Sequence, residues 1–182
     1  MTVAIDPGHG MSNKKAGIYD PGAVSNGVTE AEIVMAWANE LKSELESAGH
    51  KVVRTRIDDK DPCPISQRAK IANQYKGEVM LSLHCNAFNT LASGTETFYR
   101  GAENKDKARQ INDAVCAVLG SVNRGVKLEG ESQHSKLAVM AFQPCFLLEI
   151  GFIDHFRDRA KMTDPALRKQ ACEKLAKILT EK

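Results

Sequence analysis

Two periods of apolar and polar positions recur along the chain, and they predict strands that alternate with helices. Strand-like segments occur at Val3–Ile5, Lys51–Thr55, Glu78–Leu83, Thr95–Tyr99 and Cys145–Ile150. The near-continuous apolar run in Glu78–Leu83 is typical of a strand covered on both faces. The alternation in Thr95–Tyr99 instead predicts a half-exposed or edge strand.

Helices are predicted where apolar residues recur at spacings of three and four. They cover about Thr29–Ala48, Ser66–Tyr75, Lys105–Leu119 and a C-terminal segment with Asp164 as the N-cap and Pro165 at the first position. Thr29 and Glu32 have the spacing of a capping box. Strands that alternate with helices imply an α/β fold. We expect a single domain over residues 1–182, with a mostly parallel (mixed) twisted sheet and helices on both faces.

Composition narrows the class of protein. With 182 residues, 42% of them hydrophobic and 26% charged, the chain is composed like one compact domain. We expect no membrane span, because no apolar run approaches the roughly 18–20 residues that a span needs. A net charge of +2 predicts no nucleic-acid partner. The start of the chain has neither a basic leader nor a long apolar run, so we expect no ordinary secretion signal.

Two further features concern the cysteines and one loop. The five cysteines lie more than twenty residues apart, which predicts reduced and mostly buried thiols. Residues 11–27 are rich in glycine and proline and predict a long loop. A loop of this length inside a compact domain is usually functional.

Three polar residues lie at or just after the ends of predicted strands. His9 follows the first strand, His84 ends the strand that includes Leu83, and Glu149 lies near the end of Cys145–Ile150. Ligands of open α/β sheets bind outside the carboxyl ends of the strands, so these side chains are expected to converge. The first long helix starts at the same edge, which brings Glu30 or Glu32 into range; spacing alone does not decide between the two.

Two imidazoles and a carboxylate suit Zn²⁺, and three protein ligands leave a fourth position for water. With a further carboxylate nearby, the pattern predicts a hydrolase site. Each histidine alone would be read as a hydrogen-bonded loop residue, and it is the pair that favours a metal. For Glu149 the structural alternative is an ion pair with Arg54, Arg56 or Arg68. A function is favoured because a carboxylate within an apolar strand is costly unless it is paired.

Several motifs occur in one order along the chain: Asp6-Pro7-Gly8-His9-Gly10, Gly27-x-x-Glu30, Thr55-Arg56, Arg68, Ala72-Asn73, Ser82-x-His84-x-Asn86-Ala87, Gly94-x-Glu96-Thr97-Phe98-Tyr99 and Leu148-Glu149-x-Gly151-Phe152. The ordered set covers essentially the whole chain. It resembles the zinc-dependent N-acetylmuramoyl-L-alanine amidases of the type-3 family, which includes bacterial autolysins and phage endolysins.

The resemblance implies roles for four residues. His9, Glu30 and His84 match the family's three zinc ligands, with one Zn²⁺ per chain, and Glu149 matches its catalytic glutamate. The implied reaction is hydrolysis of the amide between N-acetylmuramic acid and L-alanine, with peptidoglycan as the substrate and partner. A phage or prophage endolysin is the expected source, and a catalytic domain of a larger secreted autolysin is the alternative.

The sequence also departs from the family pattern. The segment after Tyr99 is too short to hold both the ordinary helix Lys105–Leu119 and the regulatory helix found in some members, so we expect an enzyme that needs no activator protein. Met140 stands where relatives often have an arginine, which leaves the contact with the peptide stem unassigned. Two rival functions are a zinc peptidase that cuts within the stem and a wall-binding module with a structural zinc site.

Overall fold

The computed structural model describes residues 1–181. Ten strands in this range are, in chain order, β1 (Thr2–Pro7), β2 (Gly10–Met11), β3 (Tyr19–Asp20), β4 (Val24–Ser25), β5 (Val28–Thr29), β6 (Lys51–Arg54), β7 (Val79–Asn86), β8 (Thr95–Tyr99), β9 (Asn123–Leu128) and β10 (Cys145–Phe152). The α-helices are α1 (Glu30–Ser47), α2 (Arg68–Gln74), α3 (Lys105–Leu119), α4 (Phe156–Thr163) and α5 (Pro165–Thr180).

Six strands form the main sheet, in the order β6-β1-β7-β10-β8-β9. Strands β6, β1, β7 and β10 are parallel, and β8 pairs with β10 in the antiparallel direction. Strand β9 is parallel to β8. The sheet is therefore mixed and mostly parallel, and its four parallel strands end at one common edge. The predicted fold class is confirmed.

Helices cover both faces of the sheet. On one face, apolar side chains of α1, α3 and α5 pack against the strands around Trp37, which is fully buried. On the other face, α2 and the short 3-10 turn Ala138–Ala141 enclose a smaller cluster with Met80 and Leu147. This two-sided burial explains why β7 and β10 consist of near-continuous apolar runs.

The helix boundaries follow the predicted capping residues. The Thr29 side chain accepts a hydrogen bond from the Glu32 amide, and the Glu32 side chain accepts one from the Thr29 amide. Asp164 caps α5, and Pro165 occupies the first helical position. The capping box therefore fixes Glu32 at the surface of the α1 start, whereas Glu30, two residues earlier, is buried.

One strand prediction is wrong. All five residues of Thr95–Tyr99 are buried, and β8 lies between β10 and β9 rather than at the edge. The edge is β9, which the apolar pattern misses because Arg124, Gly125 and Lys127 interrupt it. Charged residues are typical of edge strands, where they discourage pairing with other chains.

Other features fill in what the sequence pattern left open. The segment 11–27 contains most of two short hairpins, β2–β3 and β4–β5. Helix α4 was not among the predicted elements, and its side chains are mostly polar. All five cysteines are buried and free, as predicted. Within residues 1–181, none of the helices is long and apolar enough to cross a membrane.

Candidate active site

A cavity of about 520 Å³ opens at the carboxyl ends of β1, β7 and β10. It is lined by His9, Glu30, His84 and Glu149, which are the four residues that the sequence analysis singles out. The convergence follows from the topology, because parallel neighbours end at the same edge and α1 starts there.

His9, Glu30 and His84 form one cluster. Each offers a ligand atom, and these atoms lie within 4.8 Å of one another. Glu30 Oε1 is 3.0 Å from His9 Nε2 and 3.0 Å from His84 Nδ1. The backbone amides of Cys85 and Ala23 also donate hydrogen bonds to the two oxygens of Glu30, so its carboxylate has a fixed orientation. The structure thus brings Glu30 into the cluster, whereas Glu32 serves as the cap.

Two glycines make the close packing of this cluster possible. A Cβ atom on Gly8 would lie 2.4 Å from His84 Cε1, which is too close for real atoms. A Cβ atom on Gly22 would lie 2.6 Å from Glu30 Oε2 and 2.8 Å from His9 Cδ2. Gly22 also has a φ of 68°, a conformation that favours glycine. The lack of a side chain at Gly8 and Gly22 therefore allows the three side chains of the cluster to pack closely.

Asp20 orients the His9 ring, and the sequence pattern gives no signal for it beyond its place in segment 11–27. Its Oδ2 lies 3.0 Å from His9 Nδ1 and accepts a hydrogen bond from Asn13, while Oδ1 accepts one from the Gly22 amide. With its proton on Nδ1, a neutral His9 ring keeps its lone pair on Nε2, which faces Glu30. A carboxylate behind an imidazole is the usual outer support of a histidine ligand.

The charges in the cluster stabilise one another. Burial disfavours the charged forms, but the contacts with Glu30 and Asp20 outweigh it and raise the pKa of His9. For Glu30, burial is likewise outweighed by His84 and His9, which hold the pKa of its carboxyl group well below the ordinary value. Glu30 is therefore a carboxylate at neutral pH.

The residues present fit a divalent metal ion. The lone pair on His9 Nε2 and a carboxylate oxygen face each other at 3.0 Å, and such a pair of acceptors needs a proton or a cation between them. Ligands that share a tetrahedral zinc ion at 2.0–2.1 Å lie roughly 3.3 Å apart, which is close to the 3.0 Å that separates Glu30 Oε1 from His9 Nε2 and from His84 Nδ1. The donor set of two imidazoles and one carboxylate is also one that zinc prefers.

Glu149 lies beside the cluster on the cavity floor. Its position on β10 pairs with His84 on β7 and with Glu96 on β8. The Oε2 atom is buried and, among the residues that the structure describes, has no hydrogen-bond partner. Burial raises the pKa of Glu149 well above the ordinary value of 4.5, and the negative charges of Glu30 and Glu96 raise it further.

The structural alternative for Glu149 is wrong. Arg68 Nη1 lies 2.7 Å from Asp6 Oδ1, in a buried ion pair beneath β1. Arg54 and Arg56 have other partners as well, and no ion pair within residues 1–181 includes Glu149. Arg56 and Arg68 bind backbone carbonyls of Pro7–His9, Arg54 binds Asn39 on α1, and none of the three neutralises the Glu149 carboxyl group.

Met140 does not face the cavity. Its side chain is fully buried in the smaller core cluster, next to Leu147. Its backbone carbonyl accepts a hydrogen bond from Arg100. Met140 is therefore a core residue of this protein, and a contact with a bound peptide has to come from elsewhere on the cavity wall.

Fold and site together define a class of protein. In this α/β domain, a cluster of imidazole and carboxylate groups lies at the carboxyl ends of the parallel strands, beside a further carboxyl group. This arrangement is typical of metal-dependent hydrolases. Comparison with known proteins makes this specific. The family model described as N-acetylmuramoyl-L-alanine amidase (Amidase_3) matches residues 3–181. The chain belongs to this family.

Relatives in sequence and in structure agree with this assignment. The N-acetylmuramoyl-L-alanine amidase LytC of Bacillus subtilis is 30% identical over 179 residues, which cover 94% of this chain and 33% of LytC. The chain thus spans a third of the length of that relative. The germination-specific N-acetylmuramoyl-L-alanine amidase of the same organism is 26% identical, and the match covers 96% of this chain and 76% of that relative.

Among solved structures, the catalytic domain of CwlV, an N-acetylmuramoyl-L-alanine amidase from Bacillus (Paenibacillus) polymyxa, superimposes with a TM-score of 0.84 at 28% identity. The match covers 98% of this chain and 96% of that domain. An N-acetylmuramoyl-L-alanine amidase from Clostridium difficile 630 gives a TM-score of 0.83 at 26% identity, over 97% and 93% of the two chains. The whole arrangement of strands and helices is thus that of these catalytic domains.

Proposed function

We propose that this protein hydrolyses the amide bond between N-acetylmuramic acid and L-alanine in peptidoglycan, with one Zn²⁺ held by His9, Glu30 and His84. The observation that carries the proposal is the position of Glu149. Among the residues that the structure describes, its buried Oε2 has no hydrogen-bond partner, and the side chain stands beside a cluster that fits a metal ion, at a cavity, in a chain of this family.

Zn²⁺, when bound, supplies a Lewis acid for a carbonyl oxygen and lowers the pKa of water in the site. The protein's own contribution to proton transfer is Glu149. Its side chain lines the cavity, and within residues 1–181 its Oε2 has no hydrogen-bond partner, so the carboxyl group is available to take a proton from water and to return it to the nitrogen of the leaving alanine. Asp20 holds the His9 ring in place during this cycle.

The proposal extends to the domain and its use. Residues 1–182 are proposed to form one catalytic domain that degrades the cell wall, either as a phage endolysin or as part of an autolysin. We also propose that it works without an activator protein. In support, the segment between β8 and β10 consists of α3, β9 and short 3-10 turns, which leaves little chain for a further helix over the cavity.

The test is mass spectrometry of the fragments that zinc-loaded protein releases from purified peptidoglycan. We expect peptides that begin with intact L-alanine, and no release in the presence of a chelator. Peptides cut internally would show a zinc peptidase instead, and no release from walls of several chemotypes would favour a wall-binding module.

Matched variants then assign the residues. Glu149→Gln is expected to lower the rate by about a hundredfold to ten-thousandfold, the range for general acid–base catalysis, while zinc still binds. Glu30→Gln is expected to abolish stoichiometric zinc binding. Glu32→Gln, two residues away at the helix cap, is the control and is expected to keep both zinc and activity. Retained activity in Glu149→Gln would contradict the proposed role.

A further inference from the structure

A second group of charges lies on the cavity wall, beyond Glu149. Glu96 on β8 is buried, and its Oε2 lies 2.6 Å from Lys127 Nζ and 3.0 Å from Arg124 Nε. The amide of Asn86 donates a hydrogen bond to the other oxygen, Oε1. These contacts outweigh the effect of burial and hold the pKa of Glu96 below its ordinary value, so it is a carboxylate at neutral pH.

This group carries more positive charge than Glu96 needs. One carboxylate faces two cations, Arg124 and Lys127, so the group as a whole carries a net positive charge. Of these two cations, Lys127 is the one that lines the cavity. Its side chain is 31% exposed, it lines the cavity together with Glu96, and its Nζ lies 6.0 Å from the centre of the Phe98 ring. A structural lysine that only neutralised Glu96 would not need to face the cavity.

The distance between Lys127 and the cluster of His9, Glu30 and His84 can be estimated from the sheet. His84, Glu149 and Glu96 occupy neighbouring positions on β7, β10 and β8, and neighbouring strands are about 4.8 Å apart. Lys127, which reaches Glu96, therefore lies on the order of 10 Å across the sheet from the cluster. An extended peptide advances by about 3.3–3.6 Å per residue, so this distance corresponds to two or three residues beyond a cleaved amide bond.

We infer that Lys127 binds a free carboxylate of the peptide stem, at the second or third residue after the cleaved amide, and thereby determines which stems are cleaved well. The inference rests on the proposed amidase function. It also supplies the stem contact that Met140, being buried, does not provide. Two other lysine or arginine side chains line the cavity within residues 1–181: Arg68 is buried in its ion pair with Asp6, and the exposed Lys14 lies at the other side of the cluster beside Asp20.

The experiment uses the zinc-loaded protein and soluble muramyl tripeptides in which the carboxyl group of the second or the third residue is either free or converted to an amide. We compare kcat/KM for each free acid with its amide in the parent protein, in Lys127→Met and in Lys127→Arg. Lys136→Met is the matched control, because Lys136 is an exposed lysine in the segment that follows β9 and does not line the cavity.

In the parent protein and in Lys136→Met, one of the two free acids is expected to exceed its amide by about tenfold, the size of a hydrogen bond to a charged group. Which carboxyl group shows the effect identifies the residue that is bound. In Lys127→Met this ratio falls toward one, and Lys127→Arg restores most of it. A general structural defect would lower both rates together and leave the ratio unchanged.

Raising the ionic strength provides a second measurement that needs no variant, because it should reduce the same ratio in the parent protein. Equal rates for acid and amide in the parent protein, or an unchanged ratio in Lys127→Met, would overturn the inference while the amidase function stood. Failure of the parent protein to cleave any of the tripeptides or peptidoglycan would overturn the proposed function, and this inference with it.

Discussion

Replacing Asp20 with asparagine tests how the protein prepares His9 for a metal ion. Asparagine keeps the shape of the side chain but has only one oxygen. In the structure both oxygens of Asp20 are used: Oδ2 lies 3.0 Å from His9 Nδ1 and 2.6 Å from Asn13 Nδ2, and Oδ1 lies 3.1 Å from the Gly22 amide. Either orientation of the new amide group therefore places its NH2 against at least one donor.

The expected magnitude follows from these contacts. If the remaining oxygen faces His9, one bond to the Gly22 amide is lost and the negative charge behind the imidazole disappears. Loss of such an outer partner typically lowers metal affinity by about 10- to 100-fold, which corresponds to about 1.4–2.8 kcal/mol. The metal-free protein is also expected to lose about 1–3 kcal/mol of unfolding free energy, because a partly buried donor is left unsatisfied.

Zinc affinity is measured by competition with a chromophoric chelator, which reports binding without any need for activity. Asp106→Asn is the control, since the Asp106 side chain is 86% exposed on α3 and forms an ion pair with Arg109. We expect no change in zinc affinity for this control. A zinc affinity of Asp20→Asn within about twofold of the parent protein would refute the reasoning.

Two further predictions concern Asp6 and Gly8, which support the site from the end of β1. Burial favours the neutral form of Asp6, but Arg68 and two hydroxyl groups outweigh this effect and lower the pKa of Asp6 from 3.8. The Asp6 carboxylate therefore stabilises the fold above this pH, and the stabilisation is lost as the pH falls through the pKa of Asp6 in the folded protein. Asp6→Asn should therefore lower the free energy of unfolding, measured by urea denaturation at pH 7, by about 3–5 kcal/mol. It should also flatten the dependence of this free energy on pH below about 4, and an unchanged dependence in that range would contradict the prediction. Gly8→Ala should lower zinc affinity by at least about tenfold, because its Cβ would overlap the His84 ring. Gly130→Ala, in open space, is the control, and an equal effect in both would count against the steric argument.

Much of the site could be predicted because the sheet imposes its geometry. His84 and Glu149 lie on the neighbouring parallel strands β7 and β10, and His9 directly follows β1, which is parallel to β7. The carboxyl ends of such strands lie at one edge of the sheet, whatever the conformation of the loops that follow them. An apolar run that stops at a polar residue is visible in the sequence. The same physical rule that identifies a buried strand therefore also identified the side chains at its end.

The residues that escaped prediction are those whose position depends on tertiary contacts. Asp20 reaches His9 only because the β2–β3 hairpin folds back over the end of β1. Lys127 lies on β9, whose charged edge-strand sequence resembles that of a loop. For the choice between Glu30 and Glu32, the sequence offered the capping-box spacing of Thr29 and Glu32 and the family resemblance, and the structure shows that the capping box turns Glu32 outward and leaves Glu30 to face the histidines. The positions of Asp20 and Lys127, in contrast, are not visible in spacing along the chain.

Three buried or half-buried carboxyl groups share this site, and their surroundings give them different chemistry. Glu30 lies between two imidazoles and Glu96 between two cations, and these contacts lower the pKa of both. Glu149 pairs with Glu96 on the neighbouring strand, has no positive partner in the described chain, and has a raised pKa. Groups whose surroundings push their pKa values apart take separate roles. Glu30 and Glu96 remain ionised, so Glu149 is the one carboxyl group of the three that is suited to take up and release a proton.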